Sequence, residues 1–549
     1  PRITIEAFLK MKNPNEDKIA FEYYGNKITW KQLWEDVDVA ARALKALGFE
    51  EGDRVPSFMV STPAQYILLL AAERVGVAII CCDDEPEELC YAIRKSRTDT
   101  VFAMDYISKE DEELFRETTP MTRMIKVSPF EYADKSQMKD YVLKEIESRC
   151  AAETETAEND ISWQEFMNLG RNFEGEYLAP VDPERAVFGA YTSGSTGISK
   201  LVIHSSANVV AIAYQMSIFI PPAEVQEVWW TPILPPALIA VTVSMTIFPL
   251  STGLMVSLDP FCPLEEIDVE FMDRKPNFWA LIPLYCDMLM ESKRIPEDYD
   301  MSHLRTIGAG AEAMNDRKYA EVEAFFHKHN VKAKFSAGYG QSEGCSNFTL
   351  PNPMFPLEDG CVGMPMPATV LAVFDKDLNE LNYGESGELC MMGPSMMLHY
   401  SGWRGEEMTE KTLVEHPDGN TWLHTGDEAY ITEQGIVHIL GRGDIKCYGD
   451  KPLHIMRMET KTVRTPGVQD GFFCVVPDLE HEGYFRPYLF VILDGTKTLE
   501  EVSELLKDTL EEHEYPVEIR VITERPYFHF KTNRKELTAQ ILEELKQAE

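Results

Sequence analysis

The sequence Tyr-Thr-Ser-Gly-Ser-Thr-Gly-Ile-Ser-Lys at Tyr191–Lys200 decides how the rest of the chain is interpreted. The preceding residues, Ala186–Ala190, are apolar enough for a buried strand, whereas Ser193–Gly197 are small, rich in hydroxyls and contain glycine. A strand that opens into such a loop directs backbone N–H groups and hydroxyls toward one point, where phosphate oxygens bind well. Lys200 adds a positive charge beyond the loop. The pattern predicts a phosphate-binding loop, with an ordinary Ser/Gly-rich surface loop as the alternative.

Two common nucleotide-binding motifs do not fit this loop. The Walker-type loop needs glycine, four residues and then Gly-Lys-Ser/Thr, but Gly194 and Gly197 are too close together, and Lys200 follows the second glycine too late. The dinucleotide fingerprint Gly-x-Gly-x-x-Gly is absent here as well. Its nearest match elsewhere, Gly308–Ala313, ends in alanine and is weak evidence alone.

Length and charge limit the classes of function. The chain has 549 residues, more than one hydrophobic core usually organises, so we expect several domains. Its formal net charge of −39 disfavours binding to nucleic acid, because phosphate backbones need clustered Lys and Arg. The same charge disfavours an anionic membrane surface.

Cysteine usage and apolar segments indicate a cytoplasmic protein without a transmembrane segment. The 11 cysteines are scattered, and the cluster Cys81, Cys82 and Cys90 lacks zinc-ligand spacing, so we expect free thiols in a reducing compartment. From Pro1 onward there is no basic start followed by an apolar run, and we expect no signal peptide. The uncharged stretch Thr231–Leu258 is interrupted by prolines, which predicts a buried helix or strand beside a pocket.

Helix-like and strand-like segments alternate through residues 1–180. A helix is predicted from Thr29 with apolar spacing as far as Leu47, ending at Gly48. A second helix over Ala64–Val75 and a strand over Val77–Cys81 continue the alternation. This pattern predicts an α/β fold with a mostly parallel sheet covered by helices.

A set of short motifs follows the chain in a fixed order. The motifs are Gly52-Asp53-Arg54-Val55, Tyr191–Lys200, Gly338-Tyr339-Gly340-Gln341-Ser342-Glu343, Gly387-Glu388-Leu389, Thr425-Gly426-Asp427 and Gly441-Arg442-Gly443-Asp444. Each is weak alone, but the ordered set resembles the adenylate-forming superfamily of AMP-dependent acid–thiol ligases, which includes acyl-CoA synthetases, adenylation domains and luciferases. The resemblance covers nearly the whole chain.

The resemblance implies two domains and a two-step reaction. A large N-terminal domain, residues 1–443, would contain helix-covered, mostly parallel sheets and a small β-barrel-like part. A small mobile α+β domain, residues 444–549, would act as a lid, with the hinge near Asp444. A carboxylate would attack the α-phosphorus of ATP and release pyrophosphate, and a thiol, usually that of CoA, would then displace AMP. Mg²⁺ would accompany ATP.

The resemblance also assigns roles to residues. The predicted phosphate contacts are Thr192, Ser193, Gly194, Ser195, Thr196, Gly197 and Lys200. Tyr339 would stack on adenine, with Gly310, Ala311 and Glu312 on the other side of the base, while Asp427 would bond the ribose hydroxyls and Arg442 would add a ribose or phosphate contact. The other predicted cofactor-binding residues are Gly338, Gly340, Gln341 and Lys446. The predicted catalytic residues are Lys531, Ser342 and Glu343, and the predicted magnesium ligands are Glu343 and Thr196.

Each assignment has an ordinary structural alternative. Glu343 is also suited to the first turn of a helix, where a carboxylate faces the macrodipole. Tyr339 is equally an aromatic core residue, and Asp427 a turn-capping residue after Gly426. Lys531 is otherwise a solvated charge at a helix start.

The sequence departs from the family pattern near the hinge. Phe530 replaces the glycine that usually precedes the catalytic lysine, and only Ile445 separates Asp444 from Lys446. The hairpin that helps to form the thiol tunnel is therefore predicted to be shortened. A gating aromatic-His pair is absent from Pro232–Pro235.

The acid is predicted to be larger than acetate. Pro235 and Pro236 offer no carboxylate for an α-ammonium, which disfavours amino acids, and Gly340 stands where acetate-specific relatives carry a pocket-closing Trp. We therefore expect a fatty or aryl acid, ATP and CoA as substrates, with a homodimer left open. Two alternatives remain: transfer of the acyl group to a carrier-protein phosphopantetheine, and a nucleotide-binding homologue with little catalysis.

Overall fold

The computed structural model describes most of the chain. The described residues are 2–82, 86–96, 98–150, 157–192, 200–220, 225–310, 314, 316–350, 360–402, 404–442, 446–528 and 531–548. Within these ranges the description leaves out the side chains of Glu87, Glu88, Asp316, Arg442, Phe528, Lys531 and Ala548.

Helices are distributed along the whole chain. They are α1 (Ile5–Lys12), α2 (Trp30–Ala46), α3 (Pro63–Val75), α4 (Pro86–Ser96), α5 (Lys109–Thr118), α6 (Asp140–Arg149), α7 (Trp163–Arg171), α8 (Ser206–Ser217), α9 (Ile239–Thr242), α10 (Phe248–Ser251), α11 (Ile267–Arg274), α12 (Pro283–Glu291), α13 (Asp316–Lys328), α14 (Gly405–Thr412), α15 (Ile455–Val463), α16 (Leu499–Thr509) and α17 (Arg534–Ala548). A π-helical turn, Val243–Ile247, joins α9 to α10, and short 3₁₀ turns occur at Lys135–Gln137, Leu264–Glu266 and Ser342–Gly344.

Strands alternate with these helices. They are β1 (Ile19–Tyr23), β2 (Asn26–Thr29), β3 (Arg54–Phe58), β4 (Ala78–Cys81), β5 (Thr100–Met104), β6 (Arg123–Val127), β7 (Ile161–Ser162), β8 (Ala186–Tyr191), β9 (Leu201–Ser205), β10 (Val228–Pro232), β11 (Met255–Asp259), β12 (Phe278–Leu281), β13 (Ile307–Ala309), β14 (Phe335–Ala337), β15 (Thr349–Leu350), β16 (Cys361–Pro365), β17 (Val370–Phe374), β18 (Gly387–Met392), β19 (His399–Ser401), β20 (Leu413–Glu415), β21 (Thr421–Ile431), β22 (Val437–Arg442), β23 (Cys447–Tyr448), β24 (Lys451–Pro452), β25 (Val468–Pro477), β26 (Phe485–Leu493), β27 (Ile519–Val521), β28 (Tyr527–Phe528) and β29 (Lys531–Thr532).

Helix α2 shows how local sequence sets these boundaries. The Thr29 side chain accepts a hydrogen bond from the Gln32 N–H, and the Gln32 side chain accepts from the Thr29 N–H, which completes a capping box. Leu33, Val37 and Leu44 recur at helical spacing and are buried. The predicted helix is confirmed, and it ends before Gly48, whose φ of 90° lies in the left-handed region.

Two large sheets form the N-terminal part. The first runs β14-β13-β12-β10-β11-β1-β2 and is parallel except for β2. The second runs β19-β9-β8-β4-β3-β5-β6-β7 and is parallel from β8 to β7, while β9 and β19 are antiparallel additions. The largest apolar cluster draws residues from both sheets and from α2, α3 and α8. This arrangement confirms the predicted α/β class.

A third and a fourth sheet follow along the chain, besides the two-stranded pairs β23-β24 and β28-β29. The third sheet is antiparallel, in the order β15-β16-β22-β21-β18-β17 with β20 beside β21, and it supplies the predicted barrel-like part. The fourth sheet, β25-β26-β27, packs with α15, α16 and α17 into a C-terminal α+β unit. The domain boundary at residues 443 and 444 falls on residues outside the described ranges and stays a prediction.

The apolar stretch that raised a membrane hypothesis folds into the interior of the N-terminal part. It contains the end of β10, the α9–α10 segment and most of β11, and its Val241, Ile247 and Leu250 side chains are fully buried. Among the described residues, no helix combines the length and apolar character that crossing a bilayer requires.

Candidate active site

The hairpin of β8 and β9 carries the predicted phosphate loop. The Thr192 N–H donates to the Lys200 carbonyl at 2.9 Å, and the Lys200 N–H donates to Thr192 Oγ1 at 3.1 Å, so the two ends of the loop are fixed together. Five predicted phosphate contacts, Ser193, Gly194, Ser195, Thr196 and Gly197, lie outside the described residues.

Tyr400 connects the predicted phosphate lysine with the predicted metal ligand. The Lys200 ammonium lies over the Tyr400 ring, 5.0 Å from its centroid, and the Tyr400 hydroxyl donates to Glu343 Oε1 at 2.6 Å. Among the described residues, no carboxylate forms an ion pair with the Lys200 ammonium. Glu343 lies in a 3₁₀ turn and not at the start of an α-helix, which removes its ordinary alternative.

His204, which the sequence analysis did not select, holds the Ser342–Gly344 turn against β9. Its Nε2–H donates to the Ser342 carbonyl at 2.7 Å, while the Glu343 carbonyl accepts from the Met397 N–H at 2.7 Å. His204 is fully buried, and burial lowers its pKa to about 4, which keeps the imidazole neutral near pH 7. The turn that carries Glu343 is thus held from both sides.

Tyr339, Gln341 and Asp427 form a hydrogen-bonded group between the first and third sheets. Asp427 Oδ2 accepts from the Tyr339 hydroxyl and from Gln341 Nε2, the latter at 2.8 Å. Gln341 Nε2 also donates to the Thr425 carbonyl at 2.9 Å. Asp427 is 4% exposed and lies within β21, so it does not cap a turn. The structure thus brings together the ring and the carboxylate that the sequence analysis predicts for adenine and for the ribose diol.

Further predicted cofactor-binding residues follow neighbouring parallel strands. Strands β13 and β14 pair in register at Ala309 and Ala337, so Gly310 and Gly338 leave the same edge of the first sheet. The Gly338 N–H donates to the Ala309 carbonyl at 3.3 Å. Ala311 and Glu312 lie outside the described residues.

Gly340 has a different role from the one predicted. A Cβ atom at Gly340 would lie 1.5 Å from the Ser346 carbonyl oxygen, because the chain turns back through Cys345 and Ser346 at φ values of 63° and 122°. The prediction that Gly340 leaves space for an acyl group is therefore wrong. The protein's own backbone occupies that space, and the glycine permits its close approach.

A polar cluster lies on the far side of this backbone. Ser346 Oγ is 2.7 Å from Ser244 Oγ and 2.7 Å from Asn347 Oδ1. Ser244 belongs to the π-helical turn, a feature that is frequent at functional sites. At the end of β10, the β-branched Ile233 has a φ of 59°, which is strained for such a residue.

The predicted C-terminal contacts are less fully described. Arg442 lies directly opposite Asp427 in the register of β21 and β22, and its side chain is among those not described. The Lys446 ammonium lies 4.6 Å from the Phe485 ring centroid, on the fourth sheet. Lys531 lies opposite Phe528 in the β28–β29 hairpin.

A short hairpin follows Lys446, and the C-terminal unit contacts the N-terminal part. Strands β23 and β24 pair through Cys447 and Pro452 directly after Lys446. Arg317 Nη1 donates to the Val468 carbonyl at 2.7 Å, and His454 Nδ1 lies 3.1 Å from Glu428 Oε2.

Replacing His204 with Gln should remove one source of acid sensitivity. Below an ordinary pKa of about 6.5 the unfolded chain binds a proton at His204, but the folded chain does so only near pH 4. Between these pH values the wild type therefore loses about 3 kcal/mol of stability that the variant does not lose. The Tm of the wild type minus that of His204→Gln should fall as the pH is lowered from 7 to 4.5. A difference that does not change with pH would contradict this role.

Replacing Gly340 with Ala should destabilise the site turn. The added Cβ must displace the Ser346 backbone, at a cost of about 3 kcal/mol or more. Gly441→Ala is the control, because nothing lies within 4 Å of its Cβ position. Thermal denaturation should show a Tm several degrees lower for Gly340→Ala than for the control; equal Tm values would mean that residues 345 and 346 can move aside.

Comparison with known proteins agrees with this arrangement. The family model described as AMP-binding enzyme matches residues 10–401. An acyl-CoA ligase (sidI) of Aspergillus fumigatus is 26% identical over 521 residues, covering 91% of this chain and 82% of that protein. A long-chain-fatty-acid–CoA ligase of Bacillus subtilis is 24% identical over 520 residues, covering 91% and 87%.

Solved structures share the fold along the whole chain. ATP-bound MatB from Rhodopseudomonas palustris matches with a TM-score of 0.79 at 20% identity, covering 98% of this chain and 99% of that one. The anthranilate CoA ligase AuaEII in complex with anthranoyl-AMP matches with a TM-score of 0.79 at 18% identity, covering 98% of each chain. Because the family model spans more than half of the sequence, the chain belongs to the AMP-binding enzyme family.

Proposed function

We propose that this chain is an AMP-forming acid–thiol ligase. It activates a carboxylic acid larger than acetate, a fatty or an aryl acid, with ATP, and transfers the acyl group to the thiol of CoA. The observation that carries the proposal is the group formed by Tyr339, Gln341 and Asp427, because it joins a base-stacking ring and a diol acceptor to the same turn as Glu343.

In the first half-reaction, an oxygen of the carboxylate forms a bond to the α-phosphorus while the bond to the bridging oxygen breaks, and pyrophosphate leaves. Lys200 leaves the Tyr400 ring to meet the β- and γ-phosphates, together with the loop that begins at Thr192. Asp427 accepts hydrogen bonds from the ribose hydroxyls, and Tyr339 stacks on adenine.

Glu343 is an oxygen donor of the kind that Mg²⁺ prefers, and with Thr196 it would hold the ion that neutralises charge on the departing pyrophosphate. Lys531 contacts the α-phosphate when the C-terminal unit closes. Ser342 supports this chemistry through its position beside Glu343 and its contact with His204.

In the second half-reaction, a thiolate sulfur attacks the acyl carbon and AMP leaves. The hairpin Cys447–Pro452 and the preceding Lys446 lie where the C-terminal unit joins the N-terminal part. The hinge near Asp444, between residues 1–443 and 444–549, is the place where rotation would exchange adenylation and thiol-transfer contacts.

Gly340 does not indicate the size or polarity of the acid, because the Ser346 backbone fills the space beside it. Relatives named as long-chain-fatty-acid–CoA ligases and a fold neighbour holding anthranoyl-AMP support fatty and aryl acids. The cluster of Ser244, Ser346 and Asn347 favours an acid with a hydrogen-bonding group, because Ser346 belongs to the backbone that fills the space beside Gly340.

The proposal is tested by measuring pyrophosphate release with ATP, Mg²⁺ and a panel of acetate, fatty acids and plain or amino- and hydroxyl-substituted aryl acids, with and without CoA. We expect acid-dependent release that turns over only with CoA and yields acyl-CoA. Asp427→Asn should weaken ATP binding about 10- to 100-fold, because a charge-assisted acceptor is lost. Asp377→Asn, an exposed loop change, is the control.

The other outcomes separate the alternatives. Adenylate formation without acyl-CoA would favour transfer to a carrier-protein phosphopantetheine. Bound ATP without acid-dependent release across the panel would indicate a nucleotide-binding homologue with little catalysis. Preference for acetate would overturn the proposed size of the acid.

Replacing Lys531 with Ala should slow adenylation about 100- to 1,000-fold, because a charge that stabilises the transition state is removed. Lys535→Ala is the matched control, since Lys535 is exposed on the first turn of α17. Thermal denaturation should show equal Tm values for both variants. If Lys535→Ala slowed adenylation and Lys531→Ala did not, Lys535 and not Lys531 would be the catalytic lysine.

A further inference from the structure

A cysteine and two histidines converge on the third sheet. Cys390 in β18 lies directly opposite His424 in β21, and His416 follows the end of β20. Cys390 Sγ and one ring nitrogen of each histidine all lie within 4.8 Å of one another. The two Nε2 atoms are 2.8 Å apart, and the Cys390 and His416 side chains are buried.

This cluster is separate from the nucleotide site. The register of β21 is irregular between His424 and Glu428, so the packing of neighbouring residues shows which face of the sheet the cluster occupies. Leu423 packs in the apolar cluster that Tyr339 contacts, whereas Trp422 and Cys390 belong to a different cluster. The three side chains thus occupy the face of the sheet that adenosine does not use.

Glu388 orients one of the histidines. The His424 Nδ1–H donates to Glu388 Oε2 at 2.8 Å, which leaves the Nε2 lone pair directed toward the other two side chains. A carboxylate that accepts from the outer nitrogen of a histidine is the usual second shell of a zinc site. The Glu388 Oε1 atom accepts from the Gly426 N–H at 3.0 Å.

The surroundings of the cluster are apolar. The Phe374 ring meets His416 edge-on with a centroid distance of 4.4 Å, and the Trp422 ring lies 5.9 Å from the same histidine. Such a shell limits access of water and strengthens metal–ligand interactions.

The ligand atoms, all within 4.8 Å of one another, are close enough for small side-chain movements to bring them to tetrahedral separations. Zinc bonds of about 2.0–2.1 Å to nitrogen and about 2.3 Å to sulfur place ligand nitrogens about 3.3 Å apart and nitrogen and sulfur about 3.6 Å apart. The two imidazoles therefore need to separate by about 0.5 Å from their 2.8 Å contact. One thiolate and two imidazoles favour Zn²⁺ over Mg²⁺ or Ca²⁺, which prefer oxygen.

We propose that Cys390, His416 and His424 form a zinc-binding site, with Glu388 as the orienting carboxylate and the fourth position open to water. The bound ion would fasten the β20–β21 turn to β18. The proposed ligase activity does not depend on this zinc site, so each proposal is tested independently of the other.

The experiment is a Co²⁺ titration of the purified full-length chain after chelator treatment. Cys150→Ser is the background, because Cys150 is the exposed cysteine among the described residues. We expect about one Co²⁺ per chain, with tetrahedral d–d bands and a thiolate-to-cobalt charge-transfer band, both displaced by Zn²⁺. Cys390→Ser should lose the charge-transfer band, and Glu388→Gln should weaken Co²⁺ binding about 10-fold or more.

Cys361→Ser is the matched control, since Cys361 is a buried cysteine in the same sheet. Circular dichroism checks that each variant is folded. A folded background chain that takes up no Co²⁺ would overturn the proposal and leave His416 and His424 as a hydrogen-bonded pair. An unchanged charge-transfer band in Cys390→Ser would overturn it as well. If Cys390→Ser fails to fold, the milder Glu388→Gln decides, and unaltered Co²⁺ affinity in that variant counts against the site.

Discussion

The buried carboxylate of Asp427 is the point at which the first and third sheets meet. A charge that is removed from water is tolerated only when hydrogen bonds replace its hydration, and Gln341 and Tyr339 supply them. Tyr339 and Gln341 both follow the end of β14. Their hydrogen bonds to the Asp427 carboxylate therefore fix the distance between the Tyr339 ring and β21. The geometry of the proposed nucleotide site thus depends on the hydrogen bonds that satisfy this one carboxylate.

A second layer of contacts fixes the turn that follows these donors. His204 is neutral, so it can bond the Ser342 carbonyl without bringing another charge into the interior. Lys200 rests on the Tyr400 ring and remains a usable cation in a chain with a net charge of −39. This ammonium lies at the end of the predicted phosphate loop, where a triphosphate is expected.

Features that depend on a short stretch of sequence could be predicted. The capped helix that begins at Thr29, the strand before Thr192 and the turn at Gly338–Glu343 each depend on neighbours along the chain. The ordered motifs then indicated the family, and with it the fold.

Contacts between distant segments could not be predicted. His204 meets Ser342 across 138 positions, and Tyr400 meets Glu343 across 57. A histidine directly after the apolar run Leu201–Ile203 was the available signal for His204. Gly340 was misinterpreted because a glycine does not reveal which part of the molecule approaches it. The cluster of His416 and Cys390 was not predicted, because strand pairing brings these residues together and their spacing along the sequence is not that of a metal site.

The two carboxylate oxygens of Glu388 contact two different parts of the third sheet, the proposed zinc site and the segment that carries Asp427. Its Oε2 atom accepts a hydrogen bond from the His424 Nδ1–H, and its Oε1 atom accepts one from the N–H of Gly426, the residue before Asp427. Movement of this carboxylate changes both environments together. Linkage then requires that any factor by which a metal ion alters ATP affinity equals the factor by which ATP alters metal affinity. Through this side chain, the binding of a metal ion and the binding of a nucleotide would become thermodynamically dependent on each other in one protein.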